Sequence, residues 1–238
     1  QQVYGPEAYR GYLVYYVSDA SVCRILADAL RDPVACGVHL DWIADELRAT
    51  EVLCGLLLGT CGVNLVNAVL DRCTTTQRLG LWAGLGARAA EVARNMYGTR
   101  VVQRMVEMSE SAVELDAAAQ ALCGNVVRVF MDEHGSHVAT KLMKKTKARR
   151  HTFASPHLYD ELMAGCEEVS TSRQGCLAMQ RAVEAASENQ QALLVAELIS
   201  RTPQMVRDPF GNYVIQFVLD MGCQETCDAI VEDRKSVV

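Results

Sequence analysis

The residues of this 238-residue chain best suited to metal binding or nucleophilic chemistry are ten cysteines and one histidine pair. The cysteines form no CxxC motif, and the one close pair, Cys223 and Cys227, has no second pair that would complete a zinc site. His134 and His137 are spaced as HxxH without an evident third ligand. No glycine-rich phosphate loop and no Ser-His-Asp or Cys-His motif occurs. We therefore expect no metal, no cofactor and no enzyme activity.

A second set of side chains follows five glycines spaced 36 to 40 residues apart: Gly62, Gly98, Gly135, Gly175 and Gly211. We call the residues at offsets +1, +2 and +5 from each glycine the side face. Offset +1 holds Val63, Thr99, Ser136, Cys176 and Asn212. Offset +2 holds Asn64, Arg100, His137, Leu177 and Tyr213. Offset +5 holds Asn67, Gln103, Thr140, Gln180 and Gln216.

The side face has the character of a binding surface for planar ligands. None of its residues at offsets +1 and +5 is charged, whereas a merely solvated strip should favour Lys and Glu. Residues four apart on a helix are neighbours, so each +1 and +5 pair can hydrogen-bond one edge while the +2 residue covers one face. A nucleic-acid base fits such a triad. A solvated strip and a protein-binding solenoid are the alternatives.

The elements that carry the side face are helices. Residues at offsets +3, +4, +7 and +8 are apolar in all five copies, which is the buried stripe of an amphipathic helix. A further apolar run precedes each glycine, at residues 42–47, 81–93, 115–130, 158–166 and 192–199. Each repeat is therefore predicted to be a helix pair, and the pairs must stack on one another to bury their apolar faces.

This periodicity predicts a single all-α repeat domain over residues 1–238. The approximate repeats are 37–73, 77–109, 112–145, 157–187 and 190–222, with a cap-like copy at 12–36 and the start of a further repeat at 223–238. Lys141, Lys144, Lys145, Lys147, Arg149 and Arg150 are uninterrupted by acids, so we expect a solvated basic loop at 144–156 that could alternatively contact phosphate or a protein. Residues 52–70 lack charge, but their Gly and Asn residues predict two short buried helices and no membrane span.

The residues around three of the glycines resemble the second-helix motif of a Pumilio (PUF) repeat. The segment 208–216 reads DPFGNYVIQ, 96–104 reads MYGTRVVQR and 173–181 reads RQGCLAMQR; HGSHV at 134–138 and CGVNLVN at 61–67 are weaker copies. The resemblance covers most of residues 40–220. It implies a curved, right-handed α-solenoid, similar to the armadillo and HEAT superhelices, that binds single-stranded RNA antiparallel along its concave face.

The same resemblance assigns roles to the side face of the last two repeats. Asn212 and Gln216 match the pair that reads uracil, with Tyr213 as the stacking residue. Cys176 and Gln180 match an adenine-reading pair. Both assignments are implied by the family motif.

The other repeats depart from the motif. Thr99 and Gln103, with Arg100 stacking, resemble an adenine-reading triad less closely. Leu177 replaces a planar stacking residue, which should weaken binding because stacking contributes about 1–3 kcal/mol per base.

Two repeats are expected to read little or nothing. Ser136 and Thr140 match no standard pair, although His137 can still stack. Asn64 and Asn67, beside Val63, depart furthest. The implied RNA core, from 5′ to 3′, is U-A-N-A.

Membership of the family implies a monomeric regulator of messenger RNA that acts in the cytoplasm through 3′ untranslated regions, with protein effectors on the convex face. The net charge of −6 and the 22% of charged residues would not by themselves suggest a nucleic-acid partner. A reducing compartment with unpaired thiols is expected because no signal-peptide pattern is present. The alternative is a divergent PUF-like scaffold, binding ribosomal RNA or proteins in ribosome assembly in the nucleolus.

Overall fold

The computed structural model describes residues 4–34, 36–149 and 157–221, and all the regular secondary structure in these ranges is helical. The chain divides into two compact units, Gln1–Ala121 and Leu122–Val238. The expected start of a further repeat at 223–238 lies outside the described residues.

The first unit consists of a helical array that follows two short 3-10 turns, Pro6–Tyr9 and Leu13–Tyr15. Helices α1, α4 and α7 pack side by side, and α2 packs against α5. Asp19 begins α1 by accepting hydrogen bonds from the backbone N–H groups of Ser21 and Val22, and a capping box of Thr74 and Gln77 begins α5. The α-helices are α1 (Ala20–Arg31), α2 (Cys36–Glu46), α3 (Thr50–Leu58), α4 (Val63–Leu70), α5 (Thr75–Leu85), α6 (Ala89–Arg94), α7 (Gly98–Met108) and α8 (Ala112–Leu122).

The second unit repeats this arrangement. Helices α10, α13 and α16 pack side by side, and α11 packs against α14, whose N-terminus is a capping box of Ser187 and Gln190. The α-helices are α9 (Val126–Met131), α10 (Gly135–Arg149), α11 (His157–Ala164), α12 (Cys166–Ser170), α13 (Gly175–Ala185), α14 (Glu188–Ser200), α15 (Thr202–Met205) and α16 (Gly211–Asp220).

Each repeat contains three helices, so the prediction of a helix pair is wrong. The upstream run breaks into a longer helix and a short one before the glycine: α5 is followed by a 3-10 turn and α6, and α8 is followed by α9. Gly86 (φ +50°) and Gly124 (φ +82°) make two of these breaks in left-handed backbone that residues with a Cβ rarely adopt. The apolar periodicity continues on both sides of each break, which is why the pattern alone did not show it.

The buried stripe is confirmed. Every residue at offsets +3, +4, +7 and +8 of the five repeats is buried except Leu219, which is half-buried. The apolar residues at offset −6 are also fully buried: Leu56, Val92, Val129, Val169 and Met205. The third helix of each repeat therefore packs one face into the core, and the side face does not belong to that buried stripe.

Close packing explains why glycine begins the third helix. A Cβ at Gly98 would lie 2.6 Å from Val92 Cγ1 and 2.8 Å from the Val92 carbonyl oxygen, and one at Gly211 would lie 2.8 Å from the Met205 carbonyl oxygen. The short second helix thus lies with its backbone directly against the start of the third. Neither glycine has a positive φ, so the requirement is one of space.

The basic segment differs from the expected loop over the residues that are described. Helix α10 continues through Arg149, about one turn longer than α7 and α13. Thr146 extends the buried stripe at offset +11 and donates a hydrogen bond to the Leu142 carbonyl, so the helix has a buried face there. Residues 150–156 lie outside the described ranges.

No single helix within residues 4–34, 36–149 and 157–221 is long and apolar enough to cross a membrane. Helices α3 and α4 satisfy the length and composition criteria only as a pair, and they are bent by 118° at the break between them. They are the two short buried helices expected over residues 52–70.

Candidate functional site

The side face occupies the first two turns of α4, α7, α10, α13 and α16, which we call the site helices. Its residues at offset +2 are exposed in every copy, above the buried stripe: Asn64, Arg100, His137, Leu177 and Tyr213. Within the first unit α4 packs against α7, and within the second α13 packs against both α10 and α16. Each unit therefore brings successive copies of the side face next to one another.

Helix α7 carries a preformed hydrogen-bonding pair. Gln103 Nε2 donates to Thr99 Oγ1 at 3.1 Å, as expected for side chains at offsets +1 and +5. Thr99 is almost completely buried, whereas Gln103 is half-buried and Arg100 is exposed. The pair is fixed by the helix, and the guanidinium of Arg100 is the accessible planar group beside it.

The pair on α4 is altered by a residue of the next repeat. Arg104 Nη1 lies 3.0 Å from Asn67 Oδ1, and the same guanidinium forms an ion pair with Asp71. The acceptor oxygen of Asn67 is therefore already hydrogen-bonded within the protein. Arg104 was not predicted from the sequence. The available signal was a basic residue at offset +6 that follows an acidic residue at offset +9 of the preceding repeat.

Helix α10 presents its side face differently. Ser136 is almost completely buried and donates to the Glu133 carbonyl at 3.4 Å, so its hydroxyl is directed toward its own backbone. Thr140 is half-buried and His137 is exposed. Of the three side chains, the imidazole of His137 is the most accessible.

Helices α13 and α16 form adjacent triads in the second unit. Cys176 Sγ donates to the Arg173 carbonyl at 3.4 Å, and burial raises the pKa of its thiol, so the group is a neutral S–H. Gln180 Nε2 donates to the Tyr213 carbonyl at 3.5 Å and thereby joins the two helices. Leu177, on the exposed side of α13, is 49% exposed.

The α16 triad is the most complete. Tyr213 is 58% exposed and Gln216 is also exposed. Asn212 Nδ2 donates to the Asp208 carbonyl at 2.8 Å, which orients its amide and leaves its oxygen outside that bond. An aromatic ring and two amides therefore stand together on one accessible surface.

A short polar side chain three residues before the glycine positions each of the last four site helices. Asp208 Oδ1 accepts hydrogen bonds from the N–H groups of Phe210 and Gly211, both at 2.8 Å. Asn95, Asp132 and Ser172 accept comparable bonds ahead of α7, α10 and α13. The first copy has Gly59 at this offset and lacks the cap side chain. This recurring cap was not predicted from the sequence, although Asn, Asp and Ser are residues that favour such turns.

Two acidic residues at offset +9 from the glycines, Asp71 and Glu184, are paired with basic side chains of the protein. Glu184 lies 2.8 Å from Arg181 Nη1 and 3.4 Å from Lys147 Nζ. Burial acts to raise the pKa of Glu184, but the hydrogen bonds and charges of Arg181 and Lys147 outweigh it and lower the pKa below its ordinary value. The negative charge beside the side face is therefore smaller than the sequence suggests.

Metal ligands are not clustered in the described part of the chain, where no three His, Cys, Asp or Glu side chains lie together. The side face instead offers hydroxyl, thiol, amide and planar groups. These groups can donate and accept hydrogen bonds and can contact planar ligands.

Three segments of the chain match a known family model. A family model described as the Pumilio-family RNA binding repeat matches residues 88–112, 165–199 and 202–233. The glycines of the two most divergent copies, Gly62 and Gly135, lie outside these matches.

Similar proteins of known sequence carry Pumilio names. The chain is 26% identical over 216 residues to the putative pumilio homolog 8, chloroplastic, of Arabidopsis thaliana, and 28% identical over 215 residues to putative pumilio homolog 7, chloroplastic, of the same organism. These matches cover 90% and 89% of this chain but only 40% and 32% of those proteins.

Solved structures show the same fold. The RNA-binding domain of yeast Puf5p bound to AAT2 RNA aligns with a TM-score of 0.73 at 23% identity, over 88% of this chain and 58% of that chain. The Puf4 RNA-binding domain bound to an HO endonuclease RNA 3′ UTR recognition sequence aligns with a TM-score of 0.70 at 25% identity, over 90% of this chain and 64% of that one. The predicted all-α solenoid class is confirmed by these alignments.

Proposed function

This chain is a repeat protein of the Pumilio (PUF) family, and from that premise we propose that it binds single-stranded RNA through its side face, one base per repeat. The observation that supports the proposal most directly is the recurring triad on the site helices, in which an exposed residue at offset +2 stands beside paired side chains at +1 and +5. A base in single-stranded RNA has its faces and its hydrogen-bonding edges accessible, and a triad of this kind can contact one face and one edge.

The proposed RNA core is U-A-N-A, from 5′ to 3′. Asn212 and Gln216 each offer a donor and an acceptor to a uracil edge, with Tyr213 against its face. Cys176 and Gln180 bind the edge of the first adenine. The α10 repeat accepts any base, stacked on His137, because its serine hydroxyl is directed to the Glu133 carbonyl.

The second adenine falls to Thr99, Arg100 and Gln103. The hydrogen bond between Gln103 and Thr99 orients the glutamine amide, and Arg100 stacks on the base by its guanidinium plane. Asn67 is not assigned a base because its oxygen already accepts from Arg104.

The cellular role proposed is post-transcriptional control of messenger RNA. Target sites would lie in 3′ untranslated regions, and the protein would act as a cytoplasmic monomer that recruits effector proteins through a surface other than the side face. No catalytic step is part of this role.

The decisive experiment measures the affinity of the protein for an RNA containing U-A-N-A and for its scrambled version, by fluorescence anisotropy. The first RNA should bind more tightly, and Gln216→Ala should weaken binding chiefly by removing the preference for uracil at the first position. Gln120→Ala is the matched control, because Gln120 is an exposed glutamine on α8 away from the side face. Equal affinity of the wild-type protein for both RNAs would refute selective reading.

A second candidate function is a scaffold that binds ribosomal RNA or proteins with little base selectivity in the nucleolus. The Arg104 contact to Asn67 and the apolar Leu177 favour it, because each removes part of a reading triad. Selection from a random RNA pool separates the two functions. Enrichment of U-A-N-A supports the regulator, whereas the absence of any consensus from folded protein supports the scaffold.

A further inference from the structure

The first two stacked helices of the first unit, α1 and α4, border an open cleft of about 390 Å³. Its wall on α1 is one stripe of the helix that includes Ser21, Arg24 and Arg31. Its wall on α4 includes Thr60, just before the helix, and Asn64 at offset +2 of the side face. The cleft therefore continues the line of the side face beyond the first complete repeat.

Helix α1 carries a version of the side face with different chemistry. Its buried residues Val22, Cys23, Leu26 and Ala27 correspond to offsets +3, +4, +7 and +8 of the site helices. This alignment places Ala20, Ser21 and Arg24 at offsets +1, +2 and +5. Ala20 therefore offers only a methyl group at offset +1, and Ser21 offers a hydroxyl where the site helices carry the residue that covers the face of a base. Arg24 places a guanidinium at offset +5, where most site helices have an amide.

The charge in the cleft is suited to an anion. Arg24 is exposed and has no hydrogen-bond or ion-pair partner among the residues that the structure describes. Arg31 pairs with Asp28 at 2.9 Å, with both side chains more than half exposed to solvent. None of the described residues that line the cleft is acidic.

We infer that this cleft holds a backbone phosphate of the bound RNA, on the 3′ side of the U-A-N-A core, and reads no base there. The inference rests on the proposed function. A guanidinium has five N–H donors and no acceptor, which matches the oxygens of a phosphate and cannot satisfy a base edge that contains donors. Hydroxyls of Ser21 and Thr60 can add further donors to the same anion.

The register of the RNA brings a phosphate to this place. In the antiparallel sense implied by the family, the adenine at Thr99 and Gln103 ends the core, and the next nucleotide faces α4. The nucleotide after that faces α1. The cleft thus receives the phosphate that joins the first and second nucleotides beyond the core.

The test compares an RNA that ends at the last adenine with one extended by three abasic 3′ nucleotides. The extension should strengthen binding to the wild-type protein on the order of tenfold, as is typical of a charge-assisted hydrogen bond. It should also steepen the dependence of log K on log salt by about 0.7 per phosphate contact. Arg24→Ala should abolish both effects, and Arg24→Lys should keep part of them.

Arg94→Ala is the matched control, since Arg94 is an exposed arginine of the same unit on α6. It should leave the gain from the extension unchanged. An equal gain in wild type and Arg24→Ala would overturn the inference, as would a gain that depends on which bases replace the abasic positions.

Failure of the proposed function has a different signature. The extension is therefore also attached to the scrambled core. Equal binding of the unextended core and its scrambled version refutes base reading, while an Arg24-dependent gain on both extended RNAs still supports the cleft. Absence of binding to every RNA overturns both proposals.

Discussion

Leu177 is the one side-face residue at offset +2 that has neither a polar nor a planar group. Leu177 lies at offset +2 of α13, and about half of its side chain is exposed. The neighbouring α16 has the aromatic ring of Tyr213 at the same offset. An aliphatic side chain can contact the face of a base but does not stack on it as a planar group does. In the proposed mode of binding, this repeat therefore has a reading pair, Cys176 and Gln180, without a stacking residue.

Leu177→Tyr should tighten binding of the U-A-N-A RNA. Stacking contributes about 1–3 kcal/mol per base, which corresponds to an increase in affinity of about 5- to 150-fold. Fluorescence anisotropy of the purified variants measures the change. Leu193→Tyr on α14 is the control, because that leucine is 51% exposed and lies off the side face.

Two outcomes would count against the assignment of α13. Equal gains in both variants would mean that added aromatic surface acts nonspecifically. No gain at Leu177 would mean that the base does not lie over this residue.

At the scale of elements, a buried ion pair joins α5 to α8. Arg78 Nε lies 2.7 Å from Glu114 Oε1, and the Glu114 side chain is completely buried. Glu114 Oε2 also accepts from the N–H groups of Glu110 and Ser111 and from the Ser111 hydroxyl. Burial acts to lower the pKa of Arg78, but the hydrogen bond and charge of Glu114 outweigh it, so the pKa is raised overall.

Glu114→Ala should reduce the free energy of unfolding by about 3–5 kcal/mol, because it leaves the guanidinium of Arg78 largely buried without its counter-charge. Urea denaturation followed by circular dichroism measures the loss. Glu91→Ala removes the pair between Glu91 and Arg88, which is roughly half exposed, and should reduce the free energy of unfolding far less, because solvent screens an exposed pair. Similar losses in the two variants would show that the buried pair has no special role in joining the helices.

The apolar spacing was sufficient to predict the third helices and their buried stripe, because one helical period governs those positions. It was not sufficient to predict the breaks at Gly86 and Gly124, since the run is apolar on both sides of each glycine. The structure also differs from the loop predicted for the basic run, since residues 144–149 belong to α10. Charge suggested a loop, but Thr146 keeps one face of α10 buried.

The side face was predicted as a set of positions, and what each position can do depends on contacts between repeats. That Thr99 and Gln103 are neighbours follows from helix geometry alone. The contact of Arg104 with Asn67 requires α4 and α7 to be packed together, which spacing along the chain does not reveal. Which amide is accessible is therefore a property of the stacked helices.

For the whole molecule, the net charge of −6 constrains the proposed mode of RNA binding. Some basic side chains already form ion pairs within the protein: Arg104 pairs with Asp71, and Arg181 and Lys147 pair with Glu184. Acidic residues outnumber basic ones, 29 to 23, so in the proposed mode contacts to nucleobases rather than to phosphates supply most of the affinity. The proposed mode therefore differs from that of nucleic-acid binders that rely on a broad basic surface.

Binding of a U-A-N-A RNA with its 3′ extension should therefore depend only weakly on salt. One or two phosphate contacts correspond to a slope of log K against log salt between about −0.7 and −1.4. Affinities measured from low to physiological salt give this slope directly. A slope equivalent to five or more contacts would mean that RNA binds to a basic surface other than the side face.

The bond between Arg104 and Asn67 also bears on how easily the α4 repeat could acquire a base preference during evolution or by design. Replacing Asn67 with glutamine would leave Arg104 beside it, anchored by Asp71, and able to engage the new amide. Removing Arg104 alone would free the amide of Asn67, but Val63 at offset +1 could not form the second hydrogen bond to a base edge. Any single substitution therefore gains little, and a new specificity requires coordinated changes in two adjacent repeats. The unit that mutation and selection must act on here is the junction between repeats.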